Sequence, residues 1–131
     1  MKPASDGKPL CGSFSNELGV RPDVDIVVDT AGQVHPQTGG LSATPDDPTL
    51  LPPHVRPQGL GGKGKLPLFV IEVAQLELAG AAPDLGPPLA SRRDPRHPLK
   101  HAFIEPARVM SLADLQACLG ATRGAWEAAA L

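Results

Sequence analysis

The sequence predicts an α+β fold: a small twisted, mainly antiparallel sheet with one C-terminal helix. Three observations carry that prediction. Short runs rich in Val, Ile, Leu and Phe, such as Val24–Val28 and Leu68–Val73, have the β-branched and apolar density of strands. Stretches dense in proline and glycine separate them, with 16 Pro and 14 Gly in 131 residues, so each regular element has to be short. One segment near the C-terminus has the apolar spacing and the capping residue of a helix.

Residues 1–20 are polar and unpatterned and are expected to form a poorly ordered or lightly anchored arm. Residues 21–131 then make a single α+β domain. Val24 to Asp29 reads as the first strand, with Val24, Ile26 and Val28 inward and Asp25 and Asp29 toward solvent. The chain turns at Ala31-Gly32, passes His35-Pro36 and reaches Gly39-Gly40, with the Ser42 hydroxyl just beyond. From Thr44 to Pro67 six prolines and four glycines exclude any persistent element. A loop of that length in a small domain is usually functional or disordered. Leu68 to Val73 reads as a second, central strand, and Ala74 to Gly80 as one helical turn. Pro83 to Pro88 is a turn region, Leu89 to Arg92 a short strand, and His101 to Glu105 a third main strand stopped by Pro106. In the final helix Ser111 is the N-cap with Asp114 three residues on. Leu112, Leu115, Leu119, Thr122 and Trp126 make one stripe that should pack on the sheet.

Composition excludes several functions. The net charge of −2 and a 3% aromatic content leave little with which to hold or stack on nucleic acid. No apolar run suits a membrane span or a secretory signal, so the chain is expected in the cytoplasm unless a signal-independent route exports it. Cys11 and Cys118 are expected as free thiols, with a disulfide as the alternative, and no Cys/His spacing suggests a metal site.

Four candidate constellations remain. Gly59, Gly64 and Lys65 fit the start of a phosphate-binding loop, but Leu66 stands where Ser or Thr must hold magnesium, and a strand follows where a helix is needed. That reading fails. The basic cluster Arg92, Arg93, Arg96, Lys100 and Arg108 is either a solvated loop or a site for a phosphate-bearing ligand. Ser42, behind the glycine pair Gly39 and Gly40, is either a turn cap or a ligand-facing hydroxyl. As a nucleophile it would need a base, with His35, His54, His97 and His101 all open, and no nucleophile elbow is present. His101 and Glu105 share a strand face with Phe103, either as a binding or acid–base site or as the polar ends of an edge strand.

Two blocks point further. The first runs from Pro22-Asp23-Val24-Asp25-Ile26-Val27 to His35-Pro36-Gln37-Thr38-Gly39-Gly40-Leu41-Ser42. The second is His101-Ala102-Phe103-Ile104-Glu105-Pro106-Ala107-Arg108-Val109-Met110, followed by a helix holding Thr122-Arg123 and Trp126. In this order, over about half of the chain, they resemble the ADP-ribosyltransferase-like toxin effectors of type VI secretion systems and their bacterial and fungal relatives. The resemblance implies a compact transferase-like toxin fold, NAD as substrate, delivery into a target cell and a cognate immunity protein as partner. It carries Ser42 and His101 over as site residues. Glu105, with Glu72 as runner-up, is the candidate carboxylate for the oxocarbenium-like ribose, and Arg21 or Arg108 the candidate phosphate holder. The chain departs from the family pattern in having no arginine-bearing strand before Arg21. A different class stays open beside it: a non-enzymatic interaction module that docks partners through the proline-rich loop 44–67.

Overall fold

A computed structural model describes residues 1–129. In chain order its elements are β1 (Gln33–Val34), β2 (Leu41–Ala43), β3 (Phe69–Val70), α1 (Val73–Leu78), β4 (Leu89–Arg93), β5 (Ala102–Pro106), β6 (Met110–Ser111), α2 (Leu112–Ala121) and β7 (Glu127–Ala128). The strands pair antiparallel, as β2-β5-β4, β1-β6 and β3-β7. The α+β class is as the sequence predicts. The one small sheet is instead three, because proline and glycine stop most ladders after two or three residues.

β5 is the central strand of the largest sheet and its sequence alternates as a central strand should. Ala102 and Ile104 are buried on the core side, and Phe103 and Glu105 emerge on the other face. In the β2–β5 ladder Ser42 stands opposite Phe103 and Leu41 opposite Ile104. In the β4–β5 ladder Arg92 stands opposite Phe103 and Ala90 opposite Glu105. Pro106 closes the strand, where a missing N–H costs least.

α2 forms as its sequence dictates. The Ser111 hydroxyl accepts from the Asp114 N–H at 3.0 Å and satisfies one of the orphan donors of the first turn. Leu115 and Leu119 are fully buried. The helix stops at Ala121 and bends through a 3₁₀ turn at Arg123–Ala125. Trp126 thereby stays in the core, its indole Nε1 donating to Thr122 Oγ1, whose hydroxyl donates to the Leu119 carbonyl.

Three expectations need correction. Val24–Asp29 is not a strand. Asp23 adopts a left-handed φ of 59°, and both the Val24 and Asp25 N–H groups donate to the Arg21 carbonyl. The Asp25 carboxylate takes the Arg21 N–H, and that of Asp23 takes the Val28 N–H. The Arg21 carbonyl and the two aspartate carboxylates thus wrap the start of the run into a turn, while the Val27 N–H goes to the Thr38 carbonyl. Only Ile26 of the expected inward set is buried, while Val24 is 69% exposed. Second, the ladder in Leu68–Val73 is only Phe69–Val70, in a two-stranded ribbon with β7, because Val73 already starts α1. The expected single helical turn after it is this six-residue helix. Third, Leu18 and Val20 belong to the core, so packing begins before Arg21. Gln116 fixes that segment by accepting from the Val20 N–H and donating to its carbonyl.

The loop 44–67 holds no strand or α-helix, as expected, and folds on itself through 3₁₀ turns at Pro48–Leu50 and Gln58–Leu60. Arg56 organises it: its Nη1 donates to the Thr49 carbonyl, and its own carbonyl accepts from Gly64. Gly62 and Gly64 sit where a Cβ would strike the Arg56 and Val55 backbone, so these glycines serve close packing of the loop. Cys11 and Cys118 are free thiols, and burial pushes the Cys118 thiol upward. Among the described residues no helix is long and apolar enough to cross a membrane.

Candidate functional site

Antiparallel register places directly opposed side chains on one face of a sheet. Ser42 on β2, Phe103 on β5 and Arg92 on β4 therefore form a row across the largest sheet. Alternation along β5 adds Glu105 to the same face. His101, one residue before the strand, meets Phe103 edge to face, with ring centroids 4.6 Å apart. The Arg92 guanidinium lies over the Phe103 ring, 4.9 Å from its centroid, in a cation–π arrangement. The three catalytic candidates from the sequence, Ser42, His101 and Glu105, thus come to one sheet face.

Beside this row opens a cleft of about 400 Å³, lined by Gln37, Thr38, Gly39, Arg92, Asp94, Pro95, Arg96 and Phe103. Its wall at Gln37–Gly39 is unusual backbone. Gln37 takes a left-handed φ of 65°, rare for a residue with a Cβ. The Gln37 N–H donates to Glu105 Oε2 at 2.7 Å, which pins that conformation. Glu105 is 4% exposed and its other oxygen, Oε1, accepts from Arg92 Nε at 3.0 Å. Both carboxylate oxygens are therefore engaged with the protein, and Glu105 positions Arg92 and the Gln37 backbone.

Asp94, at the end of β4, is the second buried acid and is 2% exposed. Its Oδ1 accepts from the Arg96 N–H at 3.0 Å and from Arg96 Nε at 3.2 Å. Its Oδ2 accepts from Arg96 Nη2 at 3.2 Å and lies 3.0 Å from His101 Nδ1. The Arg96 hydrogen bonds, then that from His101, hold the Asp94 carboxyl well below the usual carboxylate range. A lowered native value means that this acid stabilises the fold when ionised. Its contribution is full above the unfolded value of about 3.9 and fades as the pH falls below it toward the native value. Urea unfolding of wild type and Asp94→Asn between pH 7 and pH 2 should show a flat stability gap above about pH 5 that narrows below about pH 4. A gap that widens in acid would contradict the geometry.

The binding candidates divide. Gly39 lines the cleft. Gly40 is spent on the fold, because a Cβ there would meet the Ile104 backbone of β5. Gly39 likewise lies against the Asp25 carbonyl at φ 119°, so the pair admits neighbouring backbone more than a ligand. Arg21 is held by Asp25, with Nε at 3.1 Å and Nη2 at 3.0 Å from its carboxylate, and does not line the cleft. Arg108 points its Nη1 to the Leu85 and Pro87 carbonyls, also away from the lining. The arginines that do line it are Arg92 and Arg96. The sequence had grouped them only within a basic run, and it offered no role at all for Asp94. The one local signal for that residue was the Asp94-Pro95 turn dipeptide. Among the described residues no group of three or more metal-ligating side chains occurs.

Fold and site together define a small α+β protein with a cleft beside the solvent face of a three-stranded antiparallel sheet. No family model, curated protein or solved structure matches the chain.

Proposed function

We propose that the chain is a toxin-like effector of the NAD-dependent ADP-ribosyltransferase class that inhibits growth of a target cell. A cognate immunity protein would hold it in check. The observation that carries the reading is the row Ser42–Phe103–Arg92 across one sheet face, with His101 beside it and the cleft at its edge. A volume of about 400 Å³ lies at the small end of ligand pockets, so it suits one half of a dinucleotide with the rest lying outside.

The side chains present fit such a ligand. Arg92 spends Nε on Glu105, and Arg96 spends Nε and Nη2 on Asp94. Among the described residues both Nη groups of Arg92 and the Nη1 of Arg96 have no acceptor and remain as donors, in the planar arrangement that suits phosphate oxygens. The exposed Ser42 hydroxyl and the His101 Nε2, which has no partner among the described residues, supply contacts for ribose hydroxyls. When the glycosidic C–N bond breaks and nicotinamide leaves, positive charge develops on the ribose. The Glu105 carboxylate contributes its field there, while its geometric task is to hold Arg92. Fixed groups of this kind stabilise a developing charge without reorganising.

Expression of the wild-type chain from a tight promoter should arrest bacterial growth, and Ser42→Ala and His101→Ala at matched soluble levels should each relieve the arrest. In vitro, each substitution should lower nicotinamide release from NAD by about 100-fold, the scale for losing one preorganised group. Thermal stability should rise with NAD through binding linkage. Arrest that persists in both variants would overturn the assignment of the site. A folded wild type that neither arrests growth nor gains stability from NAD would overturn the class and favour the interaction module.

A further inference from the structure

We infer that Asp94 is a positioning residue that fixes His101 as its Nδ1–H tautomer, leaving Nε2 as the hydrogen-bond acceptor that a sugar hydroxyl of the ligand meets. The second half of this rests on the proposed function, and the first half stands on geometry alone.

Three features carry it. Asp94 is buried and receives three N–H donors from Arg96, so it is an ionised carboxylate and can only accept. Its Oδ2 lies 3.0 Å from His101 Nδ1, so that ring nitrogen has to carry the proton. A neutral imidazole with a proton on Nδ1 has a bare Nε2. The Phe103 edge contact and the bond from the His101 N–H to the His97 carbonyl hold the ring and its backbone in place. A carboxylate that sets the tautomer of an imidazole in this way determines which nitrogen is offered to the ligand.

Asp94→Asn separates this role from a merely structural one. An amide placed with its oxygen in the Oδ1 position still accepts from the Arg96 N–H and Nε, so the turn is kept. Its NH₂, at the cost of the single bond from Arg96 Nη2, then faces His101 Nδ1 and donates to it, which moves the ring proton to Nε2. The opposite amide orientation would set NH₂ against two Arg96 donors and is disfavoured.

The test is ¹⁵N NMR of histidine side chains in the full chain at about pH 8, where an ordinary histidine is neutral. The His101 signals are assigned by their loss in His101→Gln. The wild type should show a protonated Nδ1 and a bare Nε2, and Asp94→Asn should show the reverse, with unchanged far-UV circular dichroism. Arg96→Gln should leave the wild-type pattern in place, because it keeps the Asp94–His101 bond. A wild-type ring that is protonated on Nε2 overturns the inference by itself, even if the Asn variant does not fold. So does a folded Asp94→Asn with an unaltered tautomer. In nicotinamide release, Asp94→Asn should raise KM for NAD about 10-fold or more. Equal KM with a reversed tautomer overturns the ligand-facing role of Nε2. The expected tautomers in a wild type that does not use NAD would instead overturn the proposed function and leave the Asp94–His101 assignment standing.

Discussion

Gly40→Ala will lower stability by about 3 kcal/mol, at the upper end of what overpacking costs, and will abolish function with it. A Cβ at this position would lie 2.9 Å from the Ile104 carbonyl carbon, closer still to its oxygen, and 3.2 Å from the Glu105 Cα. All three atoms are backbone of β5 and cannot swing aside as a flexible side chain can. The ladder between Leu41–Ala43 and β5 would have to separate, and Ser42 would leave its register position opposite Phe103. Gly32→Ala is the matched control. Gly32 has a φ of 76° but open space where a methyl group would stand, so only the left-handed backbone penalty of roughly 1–2 kcal/mol applies. Urea unfolding of both variants decides the matter: a Gly40→Ala chain no less stable than Gly32→Ala would show that the two strands are not packed this closely.

How far the sequence foretold this structure depended on how local each cause is. α2 was legible because its cap, Ser111 with the Asp114 N–H, and its stripe, Leu115 to Leu119, lie within a few residues of each other. β5 was legible because alternation alone places Phe103 and Glu105 on one face. Val24–Val28 misled because β-branched density was weighed above Pro22 and two aspartates whose carboxylates take backbone N–H groups. Composition favoured a strand there, and the turn built on the Arg21 carbonyl and the two aspartates won. The site itself was legible one residue at a time and not as an assembly. Ser42, His101 and Glu105 could be singled out, but the partners that define them are distant in sequence. Glu105 finds the Gln37 N–H across 68 positions and Arg92 across 13. Nothing in the local pattern of either residue announces that pairing, since strand register is set by the whole sheet. Arg21 and Arg108 were plausible phosphate holders by type alone, and each is engaged elsewhere.

Glu105→Ala is the other large loss, about 3 kcal/mol, at the low end for breaking a buried ion pair because Arg92 keeps some access to water. The substitution removes the acceptor for Arg92 Nε and for the Gln37 N–H at once. The freed guanidinium would no longer be held over Phe103, and Gln37 would lose the bond that pins its left-handed backbone. The cleft wall and Arg92 therefore move together. Glu105→Gln is the informative companion. Its amide oxygen can serve one donor, while its NH₂ confronts the other, so it should lose less stability than the alanine variant but still a measurable part of it. If Glu105 acts by holding Arg92, growth inhibition and urea stability will fall in the same order, wild type above Gln above Ala. If the carboxylate instead acts on the sugar directly, Glu105→Gln will be as inactive as Glu105→Ala while keeping more of its stability than the alanine variant. Glutamine keeps the shape of glutamate and one of its two acceptors, so the order of activity against the order of stability separates a carboxylate needed for its geometry from one needed for its chemistry.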